Sequence, residues 1–463
     1  MLLNPSLFKY HKTPLLCILV SVILYVSFAY HLIRTEATKL ILLYLSLFVF
    51  AYILKKSAGF NFGLLVVASI LLRLVFLFAI PNLSQDFYRF IWDGQMIISG
   101  FNPYLTTPDF QMEMGIISNF PNQLELYNGM GQLSASHFTN YPPINQLCFV
   151  IANLFPGKSI ISSVVGLRLI IIAADIGTLY FGKKLLEALK LSSSRIWWYM
   201  LNPFIIIELT GNLHFESVMI FFLIWSLYLL HSDKWKLAAI IFACSISVKL
   251  IPLLFLPIFY WWFSPKENRN KWIPERSTLL KLIGFYLIVL ATTVLLFIPF
   301  FSMEFINNYA ETVGLWFNDF EFNASIYYIV REIGYFITGY NEIAIIGKIL
   351  PAISLVIILW FSLLRKNTTL HKLTTSIVIV FTCYLFLSTT VHPWYLGTLV
   401  ALCIFTNYRF PLVWSFAIIL SYLAYLSIGT ADKSENLWII GLEYAIVFSA
   451  FIWEVILRKK ISV

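Results

Sequence analysis

Charge is what this sequence has least of. Asp, Glu, Lys and Arg make up 12% of its 463 residues, about half the share of an ordinary soluble domain, which excludes that class. Cysteine is sparse too. Cys17, Cys148, Cys244, Cys383 and Cys403 are scattered, four of them deep in apolar runs, so neither a disulfide framework nor a metal site is expected. There is no D-x-D, no H-E-x-x-H and no pair of histidines at helical spacing, so no metal ligand set is expected. Glycine fingerprints of a P-loop or dinucleotide fold are absent as well, and no cofactor is expected. No A-x-A-like site follows the first apolar run, which is too long for a signal-peptide core; that run is expected to be retained.

What fills the chain instead is hydrocarbon. Hydrophobic residues are 60% of it and aromatics 17%, with a mean hydropathy of +0.82. Apolar runs of about 18–25 residues recur from end to end, each long enough to cross a hydrocarbon core of roughly 30 Å as a helix. A membrane β-barrel would alternate polar lumen positions with apolar ones, and these runs do not. The expected fold is therefore all-α: a polytopic transmembrane helical bundle of about 12–14 spans. Residues 1–463 form a single membrane domain without internal repeats, carrying two large loops at 81–143 and 302–342.

The formal net charge of +9 describes orientation. The basic residues sit in short links: Lys55-Lys56, Lys183-Lys184, Lys234 and Lys236, Lys266 to Lys281, Arg365-Lys366 and Arg458-Lys459-Lys460. Loop 81–143 holds five carboxylates and one arginine, and loop 302–342 six carboxylates and one arginine. By the positive-inside rule the links are cytoplasmic and both loops external. The expectation is a multi-pass protein of the cell membrane, in contact with membrane lipids and with no nucleic-acid partner.

The polar groups that chemistry requires gather on the external side: Asp86, Arg89, Asp93, Asn102, Glu208, Asn212, His214, Glu216, Lys249 and His392 all fall at external ends of spans or in the loops beyond. Ionisable residues at membrane depth are costly and mark function by default. The stretch SQDFYRFIWDGQMIISGFNPY, residues 84–104, concentrates acid, base and acid among aromatics. With Ser84 as cap, Asp86, Arg89, Phe90 and Asp93 share one helix face, while Phe87, Ile91 and Ile98 face lipid or the bundle. Gly100 is the expected stop and Asn102-Pro103 the start of a turn. Spacing leaves two readings open. Asp86 either complements the helix dipole and pairs with Arg89, or one carboxylate is a base with Arg89 as its partner; spacing does not separate Asp86 from Asp93.

The segment DFYRFIWDG…GFNPY resembles the first-loop signature of integral-membrane glycosyltransferases of the GT-C superfamily, above all the bacterial polyprenyl-phosphate-mannose-dependent mannosyltransferases. Later segments, NPFIIIELTGNLHFESVMIFF, VKLIPLLFLP and HPWYLGTLVAL, resemble the same group in the same order. The likeness runs from about residue 86 to 402; extra spans precede the motif here. It implies that an acidic residue of the first external loop is the catalytic base, and Asp86 matches that position best. It further implies a sugar donor on a polyprenyl-phosphate carrier, a glycolipid or glycan acceptor, inversion at the sugar and an active site on the extracytoplasmic face. A base must take the acceptor proton, and donors must stabilise the departing phosphate. Candidates to bind donor phosphate or sugar are Arg89, Asp93, His214, Glu216, Lys249, His392 and Tyr395. Two other classes remain as alternatives: a transporter or flippase for lipid-linked sugars, which would show matching halves and broken helices at mid-depth, and a polysaccharide polymerase or ligase with a pyrophosphate-linked donor.

Overall fold

A computed structural model describes residues 12–59, 61–115, 121–264, 275–318, 320–427 and 435–458. Asp319 of the second loop, residues 266–274 of the longest basic link, and Lys459 and Lys460 lie outside the described residues. Among the described residues helices dominate, and the one β feature is a single parallel bridge between Phe322 and Thr390.

Among the described residues seven helices are long and apolar enough to cross a membrane, including Lys12–His31, Ala37–Ala58, Ile160–Ala188, Leu370–Leu387 and Leu437–Leu457. An eighth span arises if the bent pair Pro203–Gly211 and Glu216–His231 is counted as one. Shorter apolar helices, such as Phe62–Leu74, Trp235–Ile246 and Pro393–Cys403, stand beside them. A count of 12–14 is reached only if these short helices cross as well, which their length allows only in a locally thinned or broken geometry. Several helix starts are capped from sequence: Asn61, Ser159 and Thr369 accept the backbone N–H three residues on.

The first loop folds back onto the bundle. Its Asp86–Ile98 helix packs on the Pro143–Asn153 helix. The contact is close because position 94 is glycine: a Cβ there would meet the Phe149 carbonyl oxygen at 2.6 Å. Phe90 stacks on Phe149 at 4.6 Å and meets Phe215 edge-on, which ties this helix to the break in the bent pair. Two details differ from the sequence reading. Gln85, not Ser84, occupies the cap position, although the Asp86 N–H still donates to Ser84 Oγ at 3.3 Å. Phe87 and Ile91 are buried in protein and only Ile98 is exposed, so the helix lies under loop and bundle rather than along a lipid surface. Gly100 does end it, at φ +84, and the Tyr104 N–H donates to Asn102 Oδ1 in the following turn.

Buried charges that the sequence reading passed over hold the spans together. Arg73 Nε donates to Asp175 Oδ2 at 2.6 Å, both side chains fully buried, while Tyr199 reaches the other carboxylate oxygen at 3.0 Å. Their signal was a charge inside an apolar run, Arg73 by itself and Asp175 seven residues after Arg168.

Candidate active site

The bent pair is the centre of the site. Its first limb ends in a π-helical turn, Ile206–Gly211, and the second limb is bent by 114° from the first. A break of this kind frees backbone carbonyls that lipid cannot satisfy. Arg168 satisfies them: its guanidinium donates to Thr210 O at 3.0 Å and Gly211 O at 2.9 Å. Leu213 then takes φ +63, an uncommon conformation for a residue with a Cβ, and His214 and Glu216 follow. Backbone strain next to ionisable side chains is a mark of functional sites.

Around this break five chain segments converge. Glu216 is fully buried and Lys249 Nζ stands 2.9 Å from its Oε1. The approach lacks hydrogen-bond alignment, so neither Glu216 oxygen has a hydrogen-bond partner among the described residues. The His214 ring stacks on Trp394 at 3.8 Å, and His392 stacks on the same indole at 4.5 Å. His214 Nε2 lies 4.0 Å from Glu208 Oε2, and neither of its ring nitrogens has a hydrogen-bond partner among the described residues. Glu208 itself is engaged, accepting from Tyr422 Oη at 2.7 Å and Asn212 Nδ2 at 3.3 Å. Lys249 lies 5.8 Å from the Tyr141 ring centroid. The second loop closes one side: Phe322 N donates to Thr389 O, and the Phe322 ring stacks on His392 at 5.4 Å.

Asp86 belongs to this group. It is half-buried, close enough to Lys249 and Glu216 that both act on its charge, and Tyr395 feels the charges of Asp86 and Glu216 in turn. Burial pushes the Asp86 carboxyl up to about 6; the Lys249 ammonium pulls the other way, and Glu216 adds to the rise. Burial, with Lys249 second, lowers His392 to about 3, so its imidazole is neutral at ordinary pH.

Asp86, His214, Glu216, Lys249, His392 and Tyr395 are thus brought together. Arg89 and Asp93 are engaged elsewhere. Arg89 Nε donates to Asp93 Oδ1 at 2.7 Å, and its Nη1 holds the Ser134 and His137 carbonyls. Asp93, fully buried, also accepts from Gln146 Nε2 at 3.1 Å. Arg89 therefore pairs one turn onward rather than with Asp86. Asp93→Asn is expected to leave the buried guanidinium without its counter-charge, at a cost of about 3–5 kcal/mol. Thermal unfolding should show that loss, while activity per folded molecule falls far less than in Asp86→Asn. Among the described residues no group of three or more His, Cys, Asp or Glu side chains is arranged to hold a metal ion.

A many-helix membrane bundle whose buried ionisable groups meet at a broken helix defines the class: a multi-pass membrane protein with a polar site set into its helical body. Residues 17–265 match the family model described as "Alpha-(1->6)-mannopyranosyltransferase, N-terminal domain", and the chain belongs to that family. The match includes Asp86, Glu208, His214, Glu216 and Lys249 and stops short of His392 and Tyr395. Alpha-(1->6)-mannopyranosyltransferase A of Corynebacterium glutamicum is 23% identical over 189 residues, 40% of this chain and 36% of the relative. The protein of the same name from Mycobacterium tuberculosis is 21% identical over 229 residues, 49% of this chain and 41% of the relative. The chain thus aligns with well under half the length of either curated relative.

Proposed function

We propose that this protein is a membrane mannosyltransferase that moves mannose from a polyprenyl-phosphate carrier to a hydroxyl of a glycolipid or glycan acceptor, with inversion, on the external face of the membrane. One observation carries the reading: a half-buried carboxylate, Asp86, sits within charge reach of the Glu216–Lys249 pair at a broken helix. Mannose as the sugar is supported by family membership. The external face is supported by the sign of the loop charges.

Each group has a task that its environment suits. Asp86, raised to about 6, is ionised yet basic at neutral pH, the range in which a general base works best. It takes the proton of the acceptor hydroxyl as that oxygen attacks the anomeric carbon. The bond from that carbon to the carrier phosphate breaks, and the phosphate leaves with the electron pair. Lys249 meets the growing negative charge, and the neutral imidazoles of His214 and His392 offer N–H donors. The unsatisfied Glu216 carboxylate accepts from a sugar hydroxyl, which supplies the hydrogen bond it lacks. Trp394 holds the two imidazoles by stacking, and the half-buried Tyr395 presents its ring to the sugar.

A second reading has an observation of its own. The 114° break between Pro203–Gly211 and Glu216–His231 is the device by which transporters set polar groups inside the membrane. One assay separates the two. Purified protein in nanodiscs receives radiolabelled polyprenyl-phosphate mannose and lipid extract from its own host. Label transferred to an acceptor supports the transferase; movement of the intact carrier across a vesicle membrane, without transfer, replaces it.

A further inference from the structure

At the far end of the bundle lies a polar cavity built differently from the Asp86 site. It has a volume of about 560 Å³, and its wall carries Arg195, Arg365, His371, Arg409 and Arg458 against one carboxylate, Glu454. The Leu370–Leu387 helix begins beside this cavity with His371 and ends shortly before His392, so the two sites are separated by about one helix length, roughly 27 Å at 1.5 Å per residue.

One member of the cationic wall is held in place. Arg195 Nη1 donates to Thr406 O at 2.9 Å and Ile404 O at 3.4 Å, which fixes its guanidinium across the end of a neighbouring helix. The single acid is already committed: Glu454 Oε2 accepts the backbone N–H groups of Arg409 and Phe410 at 2.6 and 2.9 Å. It caps the Phe410–Ala417 helix and does not neutralise the arginines through their side chains. Four guanidiniums around a hollow of ligand size, with the one carboxylate of its described lining turned to backbone, carry a surplus of positive charge that a bound anion would offset. Guanidinium, planar and with paired N–H donors, matches phosphate oxygens better than any other side chain. Arg365 and Arg458 come from two of the basic links whose charge reads as cytoplasmic. Basic pockets between spans on that side are placed to receive lipid head groups. Trp198 and Leu412 supply an apolar margin to the same wall.

We infer that this cavity is a phosphate-binding site, and that its natural occupant is the head group of an anionic phospholipid of the cytoplasmic leaflet. It is separate from the Asp86 site in place and in chemistry, and stands whether or not the chain transfers mannose.

The test uses the full chain, purified and delipidated in a neutral detergent. Its melting temperature is followed against short-chain phosphatidylglycerol, phosphatidylcholine of equal chain length, and inorganic phosphate. Phosphatidylglycerol should raise the melting temperature in a saturable way, and phosphatidylcholine should not. The Arg365→Gln/Arg458→Gln variant should need at least about tenfold more phosphatidylglycerol for half the effect, two charge-assisted contacts having been removed. Arg458→Gln alone, at an exposed position that carries little folding energy, should show a several-fold shift and keeps the test valid if the double variant folds poorly. Saturation by millimolar phosphate alone would keep the site and make its source the free anion. Equal responses to the two lipids, or a variant that titrates like wild type, would overturn the inference.

Discussion

Asp86→Asn is expected to abolish sugar transfer and, at pH 8, to make the protein more stable. The two effects have one cause. Burial holds the Asp86 carboxyl at about 6, against an ordinary value of 3.8, so the folded protein disfavours its ionised form. The sign follows from linkage. A group whose folded value is raised contributes its stability only while protonated, fully below the unfolded value, and loses it as pH rises through the folded one. Wild type at pH 8 therefore carries a charge the fold resists, and asparagine removes it. The gain should be on the order of 1–3 kcal/mol, since the side chain is only half-buried. It should open between about pH 4 and 6, be level above that, and vanish at pH 4 and below, where both side chains are neutral. Thermal unfolding of both proteins from pH 4 to 8 reads this directly. Transfer should fall by about 10²–10⁴, the usual worth of a positioned base, and wild-type kcat/KM should drop about tenfold per pH unit below 6. If Asp86→Asn melted lower than wild type at pH 8, Lys249 would outweigh burial and the charge would be structural. A variant retaining transfer within tenfold of wild type would remove Asp86 from the role of base.

The members of this cluster were legible because each interrupts hydrocarbon. Lys249 breaks the run before IPLLFLP, His214 and Glu216 break the one between ELTGN and SVMIFF, and Asp86 follows the span that ends near residue 80. Polar side chains at span ends report their depth without any knowledge of partners. Their partners are another matter. Arg89 had two carboxylates within reach on its own helix, Asp86 three residues back and Asp93 four residues on. The choice fell on Asp93 because carbonyls at Ser134 and His137, contributed by a distant stretch of the loop, fix the guanidinium on that side. Arg73 and Asp175 are 102 residues apart, and nothing in either flanking sequence names the other. The π turn at 206–211 was invisible for a related reason. IIELTG reads as ordinary helix, and the Arg168 donors that make the break tolerable come from a different span. Local pattern reports what must be buried or solvated; which charge meets which is decided by tertiary packing.

Lys249→Met should be both the most destabilising and the most informative change in the cluster. Glu216 is fully buried, its one close cation among the described residues is Lys249 at 2.9 Å, and Lys249 is 16% exposed at its side chain. Removing one partner of such a pair leaves an uncompensated charge and costs about 3–5 kcal/mol. The melting temperature should fall accordingly, and adding Glu216→Gln should restore much of it, because replacing both partners is far cheaper than breaking the pair. Stability and chemistry then separate. If Lys249 serves only to neutralise Glu216, the Lys249→Met/Glu216→Gln protein recovers its fold and transfers as well as Glu216→Gln alone. If Lys249 meets the departing phosphate, the double variant folds and transfers far less than Glu216→Gln alone. Asp86 supplies an independent reading of the same event. The Lys249 ammonium lowers the Asp86 carboxyl against the effect of burial, so its loss lets that value climb above 6. Any residual activity in Lys249→Met should therefore show an acid limb displaced toward higher pH, a change that a purely structural lysine remote from the base would not produce. An acid limb at the wild-type position would mean that Lys249 and Asp86 do not share a site, and the cluster would have to be divided.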